Sequence, residues 1–181
     1  PDLEGLAEAD MIIEAAMAYC RIPAATLRTD FGFQRLPDYD HGAWQQVRKA
    51  AHSRIRKLPD RLLNAFDIDP QAVAATRANC RIVPGIRAIN VLRKDTFTID
   101  RLENQVILCN PPYGIRLQGN DSLKDFYRQL GDFLKQRCKG SQAFIYFGNR
   151  EMIKSVGLKP SWKKPLRNGG LDGRVVKYEM Y

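Results

Sequence analysis

Four consecutive residues, Asn110-Pro111-Pro112-Tyr113, follow directly on the apolar run 105–109 (QVILC). Two prolines together remove two backbone donors and fix two φ angles, so a strand must stop there and the backbone beyond it is held rigid. The Asn110 amide oxygen and the Pro111 carbonyl can each accept one N–H of an exocyclic amino group on a base. That localises a lone pair otherwise delocalised into the ring and aims it at an electrophilic methyl group, by positioning and electrostatics rather than by strong base. Tyr113 offers a flat face on which a flipped-out base can stack. A plain strand-ending turn with a buried tyrosine accounts for the same residues.

Two acidic positions upstream have a related use. Asp67 closes the short apolar run 61–66, just before a helix, where a carboxylate can accept hydrogen bonds from the two hydroxyls of a ribose. Asp69, next to Pro70, reads as the N-cap of that helix, which leaves Asp67 for a ligand and Ile68 to pack against an adenine face. Asp95, in a Lys-Asp-Thr turn, can accept from an adenine amino group. Both aspartates next to the helix also fit a reading in which they only cap and turn. His41 and His52 have no acidic or cysteine partner at metal-ligand spacing, so they read as surface residues and no metal site is expected.

These positions need elements to hold them. Residues 7–20 carry Met11, Ile12, Ala15, Ala16 and Tyr19 at helical spacing, and residues 41–57 form a second helix with Asp40 as N-cap and a basic C-terminal end. After a buried strand at 61–66 comes a helix from Pro70 to about Cys80, with Ala72, Val73, Ala75 and Thr76 inward. Strands follow at 86–92 and, fully buried, at 105–109. A helix over 122–137 shows Leu123, Phe126, Tyr127, Leu130, Phe133 and Leu134 on one face. A buried strand at 143–147, a short helix at 149–156, and two runs (161–166 and 174–181) around Asn168-Gly169-Gly170 complete the pattern. The alternation predicts an α/β fold, a doubly wound, mostly parallel sheet with a C-terminal antiparallel hairpin.

Composition bounds the rest. The 181 residues carry 29 Lys and Arg against 20 Asp and Glu, a net charge of +9 that suggests a polyanionic partner. Arg48, Lys49, Arg54, Arg56 and Lys57 lie along one helix, and Lys159, Lys163, Lys164, Arg167 and Arg174 gather near the hairpin. Either group can track a phosphate backbone or form a solvated charged face. Trp44, Trp162 and Phe133 read as packing residues rather than stacking platforms. No apolar run reaches the ~20 residues of a membrane span. The four cysteines suit buried free thiols in a reducing, cytoplasmic setting.

The stretches FDIDPQAVAATRAN, KD and ILCNPPYG resemble the acidic, adenine-contacting and catalytic motifs of class I S-adenosylmethionine-dependent methyltransferases. The NPPY form is similar to that of enzymes methylating amino groups on bases. From about residue 11 onward, IIEAAM, LRTDFGFQRLPDYDHGAWQQV, DFYRQLGDFLKQR and KPLRNGGLDGRVVKYEMY resemble the bacterial large-subunit rRNA guanine-amino (N2) methyltransferases, an RNA methylase family often joined to a THUMP domain. The resemblance implies a Rossmann-like methyltransferase fold and S-adenosylmethionine as cofactor. It puts the cofactor ribose on Asp67, its adenine on Asp95, and the target base on Asn110, Pro111, Pro112 and Tyr113; Ile68 and Asn110 are expected to contact the cofactor as well. The implied substrate is a guanine in rRNA or a related structured RNA. Adenine in DNA, or RNA binding without catalysis, are the competing expectations.

Members of that family carry a strand and a glycine-rich loop of the type DPxCGSGT before the IIEAA helix, where only glycine lets the backbone approach a cofactor closely. Here the stretch is PDLEGLAEAD, with the single glycine Gly5 and with Glu8 and Asp10 at positions expected to be small. The first strand and loop are therefore expected to be missing or degenerate. On this reading residues 1–181 are one methyltransferase-like domain, incomplete in its N-terminal part and without a THUMP domain.

Overall fold

The computed structural model describes residues 4–111 and 120–181, and the side chains of 11–111 and 122–181. Their contacts group into two compact units, Pro1–Thr96 and Phe97–Tyr181.

In the first unit, helix α1 (Glu4–Cys20) begins inside the stretch PDLEGLAEAD, whose Glu, Leu and Ala residues are strong helix formers. No strand precedes it among the described residues. Its buried stripe is Ile13, Ala16, Met17 and Cys20, partly round the helix from the expected one; Met11, Ile12, Ala15 and Tyr19 are half-buried. The neighbour decides this, because α1 packs on α3 (Pro70–Ile82), whose Val73, Thr76 and Cys80 are buried while Ala75 is exposed. The start of α3 is the expected one: Pro70 opens it and the Asp69 carboxylate accepts from the Gln71 N–H at 2.8 Å. Helix α2 (His41–His52) is capped by Asp40, which accepts from the Ala43 N–H at 3.0 Å. It stops five residues short of the expected end. The chain turns so that the Arg56 N–H reaches the Cys20 carbonyl at 2.9 Å and its side chain reaches the Tyr19 carbonyl. Those contacts occupy carbonyls left without partners at the end of α1.

Strands β1 (Asn64–Asp67) and β2 (Asn90–Arg93) pair in parallel, from Asn64 opposite Asn90 to Asp67 opposite Arg93. Both are shorter than the apolar runs that predicted them, and β1 is not buried as expected: Asn64 is exposed and Ala65, Phe66 and Asp67 are half-buried, because its one partner among the described strands is β2. Arg61 takes φ +61°, which an extended strand does not accommodate. Ile86 and Ile89 are buried ahead of β2 and outside its ladder.

The second unit holds β3 (Val106–Cys109), α4 (Asn120–Arg137), β4 (Gln142–Phe147), a 3-10 helix over Arg150–Val156, β5 (Trp162–Asn168) and β6 (Leu171–Glu179). The sheet order is β3-β4-β6-β5, with β3 parallel to β4 and the other pairs antiparallel. The hairpin turns at Gly169-Gly170, where Gly169 adopts φ +54°. Leu123, Tyr127, Leu130 and Leu134 of α4 are buried, and the Tyr127 ring stacks on Phe147 of β4 at 5.1 Å. Full burial of each such side chain is worth about 1.5–3 kcal/mol. Entry into β3 is fixed by the buried Ser141, whose hydroxyl donates to the Leu102 carbonyl at 2.6 Å and accepts from the Gln105 N–H at 2.9 Å.

The strand expected to be fully buried is not. In β3, Val106 is 70% exposed and Leu108 50%, while Ile107 and Cys109 are half-buried. Val106 and Leu108 share one face by the two-residue period, and β3 pairs with β4 on one side only among the described strands. An unbroken apolar run predicts cover on both faces; exposure is set by what lies over the strand.

Candidate functional site

The carboxyl ends of the parallel strands carry the residues singled out by sequence. In the first unit Asp67 is the last residue of β1 and Asp95 stands two residues past the end of β2, so both lie at the same end of one two-stranded parallel sheet. The β1–α3 turn is braced by several contacts. One Asp67 carboxylate oxygen accepts from the Asp69 N–H at 2.7 Å, the Asp67 carbonyl accepts from the Lys94 N–H at 2.8 Å, and the Arg93 guanidinium donates to the Ile68 carbonyl at 3.2 Å.

This bracing bears on what the turn can hold. Asp69 is occupied as the helix cap. Asp67 has one carboxylate oxygen engaged, and its second has no hydrogen-bond partner among the described residues. Ile68 is held by its backbone while its side chain stands 64% exposed. A carboxylate with an open oxygen beside an exposed aliphatic side chain fits a ribose and the adjoining flat base. Asp95 is half-buried and carries interactions of its own.

In the second unit Asn110 and Pro111 leave the carboxyl end of β3 next to the Cys109–Ile145 pairing with β4. Asn110 is half-buried and Pro111 buried. Pro111, one residue past Asn110, can donate no backbone hydrogen bond and has its φ fixed by its ring. Pro112 and Tyr113 lie outside the described residues.

Other expectations meet mixed outcomes. Both histidines are exposed, and all four cysteines are free, three of them buried and Cys109 half-buried. Burial pushes the Cys138 thiol up to about 11 and raises Cys80 and Cys20 as well, so these thiols stay protonated and unreactive at neutral pH. Phe133 is buried, and Trp162 lies half-buried against Phe144 at 5.8 Å. Trp44 is not in a core. It belongs to a half-exposed group of rings with Phe31 and Phe33, at 5.3 and 4.9 Å, and neither α2 nor the 3-10 helix Gly32–Arg35 has a buried residue. Sequence reading missed this group; the signal was aromatics at 31, 33, 39 and 44 with no aliphatic periodicity, ahead of the basic run that begins at Arg48.

The fold defines a class. The crystal structure of SMU.472 complexed with S-adenosylhomocysteine superposes with a TM-score of 0.82 at 24% identity, over 96% of this chain and 46% of that one. The chain has the α/β, Rossmann-like methyltransferase fold. More specifically, residues 10–177 match the family model described as "RMKL-like, methyltransferase domain", and the chain belongs to that family. Among curated relatives, "Putative RNA methyltransferase slr0064" of Synechocystis sp. is 33% identical over 171 residues, 94% of this chain and 44% of that protein. "Ribosomal RNA large subunit methyltransferase K/L" of Photobacterium profundum is 30% identical over 174 residues, 93% of this chain and 24% of that protein. The chain thus spans less than half the length of these relatives. No helix among the described residues is long and apolar enough to cross a membrane.

Proposed function

We propose that this chain is the methyl-transferring domain of an S-adenosylmethionine-dependent RNA methyltransferase of the cytoplasm, acting on the exocyclic amino group of a guanine in rRNA or a related structured RNA. The observation that carries the proposal is the form of the strand ends: an open carboxylate oxygen and an exposed isoleucine after β1, and an Asn-Pro exit with buried Pro111 after β3. Family membership and the names of the relatives support methyl transfer and RNA as substrate class.

S-adenosylmethionine, when bound, supplies the methyl group. Asp67 accepts from the ribose hydroxyls, Ile68 lies against the adenine, and Asp95 takes the adenine amino group. Asn110 and the Pro111 carbonyl accept the N–H groups of the target base, while Pro112 and Tyr113 complete its pocket. The test is a calorimetric titration with S-adenosylhomocysteine of the chain and of its Asp67→Ala variant, followed by nucleoside analysis of RNA incubated with labelled methyl donor. Micromolar binding that falls at least tenfold in the variant, with label on guanine N2, supports the proposal. Label on adenine in DNA, or RNA binding with no cofactor binding, overturns it.

A further inference from the structure

The geometry points to a docking surface for single-stranded RNA on the segment between α1 and β1, where the half-exposed rings around Trp44 stack bases and the basic end of α2 follows the phosphates. This rests on RNA as the substrate class and adds where, outside the strand ends, the strand is gripped.

Three observations converge there. The first is charge. Residues 41–57 hold Arg48, Lys49, Arg54, Arg56 and Lys57, five of the chain's 29 Lys and Arg, and no acidic residue. Arg56 is committed to the Tyr19 carbonyl and lies over the Tyr19 ring at 4.1 Å. Arg48, Lys49, Arg54 and Lys57 have no carboxylate partner among the described residues. Asp40 already caps the other end of the helix, so the unmatched charge lies toward its C-terminal end and just beyond.

The second is the rings. Phe31 and Phe33 stack at 5.3 Å, Trp44 meets both edge-on, and Tyr39 closes on Phe33 at 6.0 Å. Arg28 sits over the Phe31 ring at 5.3 Å. A cluster serving only as a core would be covered, yet Phe33 is 39% exposed, with Leu36 and Val47 more so. The third is placement on one helix face: Trp44 and Arg48 are four residues apart, one turn along α2.

Cations alone would suit any polyanion. Rings beside them select one that presents flat faces, and in a duplex the bases stack on each other and present none. Single-stranded RNA meets both demands.

The test uses the full chain carrying Trp162→Phe, which leaves Trp44 as its one indole. Titration with a uridine dodecanucleotide at low salt is expected to quench Trp44 fluorescence. Lys49→Glu with Arg54→Glu should raise Kd at least tenfold, while Lys49→Arg with Arg54→Lys restores it. The logarithmic salt slope should flatten by about 1.4 for two lost phosphate contacts. α2 has no buried residue, and circular dichroism of the charge variant should match the parent. Absence of quenching, an unchanged Kd in the charge variant, equal quenching by a blunt RNA duplex, or equal quenching by poly-glutamate overturns the inference, the last in favour of an acidic protein segment. Methyl transfer to RNA without Trp44 quenching removes this inference alone. Quenching without methyl transfer removes only the proposed function.

Discussion

At the scale of single residues, two kinds of polar group must be kept apart: those consumed by the backbone and those left to act. Asp69 and Asp40 are consumed as helix caps, and Asp67 spends one oxygen on the Asp69 N–H while keeping the other. This division was readable from Asp-x-Asp-Pro, because a proline at the first helical position fixes which aspartate must cap. Asn110, half-buried where the chain leaves β3, is the residue of the second unit to whose side chain the proposed function gives a hydrogen-bonding role. Asn110→Ala is expected to lower kcat by about 100-fold or more, the usual cost of removing one preorganised hydrogen-bonding group at a reacting centre. Affinity for S-adenosylhomocysteine should stay within about twofold. Methyl-transfer kinetics beside calorimetry measure both, and an unchanged kcat would remove Asn110 from the role assigned to it.

At the scale of elements, caps and turns were legible and lengths were not. The start of α3, the cap of α2 and the Gly169-Gly170 hairpin all depend on residues within four positions of each other. The span of β1, the end of α2 and the exposure of β3 depend on what packs or pairs from elsewhere in the chain. Helix α4 shows both. Its apolar face was evident from spacing, but the close approach of Gly131 to the Val156 carbonyl of the Arg150–Val156 helix was not. A methyl group at 131 would overlap that carbonyl, and backbone cannot move aside as a side-chain tip can. Gly131→Ala should therefore destabilise the chain by about 1–3 kcal/mol, as overpacking does. A urea midpoint equal to that of the parent would show that α4 and the 3-10 helix separate freely.

At the scale of the molecule, buried thiols tie stability to pH. Burial holds the Cys138 thiol at about 11 against an ordinary value of 9. Below pH 9 folded and unfolded chains both keep this proton and its contribution is complete. Between 9 and 11 the unfolded chain loses it while the folded chain retains it, so stability falls by up to about 1.4 kcal/mol per pH unit. Urea midpoints at pH 8 and 10.5 should differ more in the parent than in Cys138→Ala; equal differences would mean another group governs the fall. The order of elements, the caps and turns, and the residues at strand ends were legible in the amino-acid sequence, because they rest on contacts between near neighbours in the chain, and the motifs there carried the family resemblance. That β3 lies half-exposed, that Asp67 keeps an open oxygen, and that Trp44 sits in a partly exposed ring cluster on the same helix as unpaired cations follow from the assembled fold. Burial and pairing are properties of whatever else the fold brings alongside, and no local spacing encodes them.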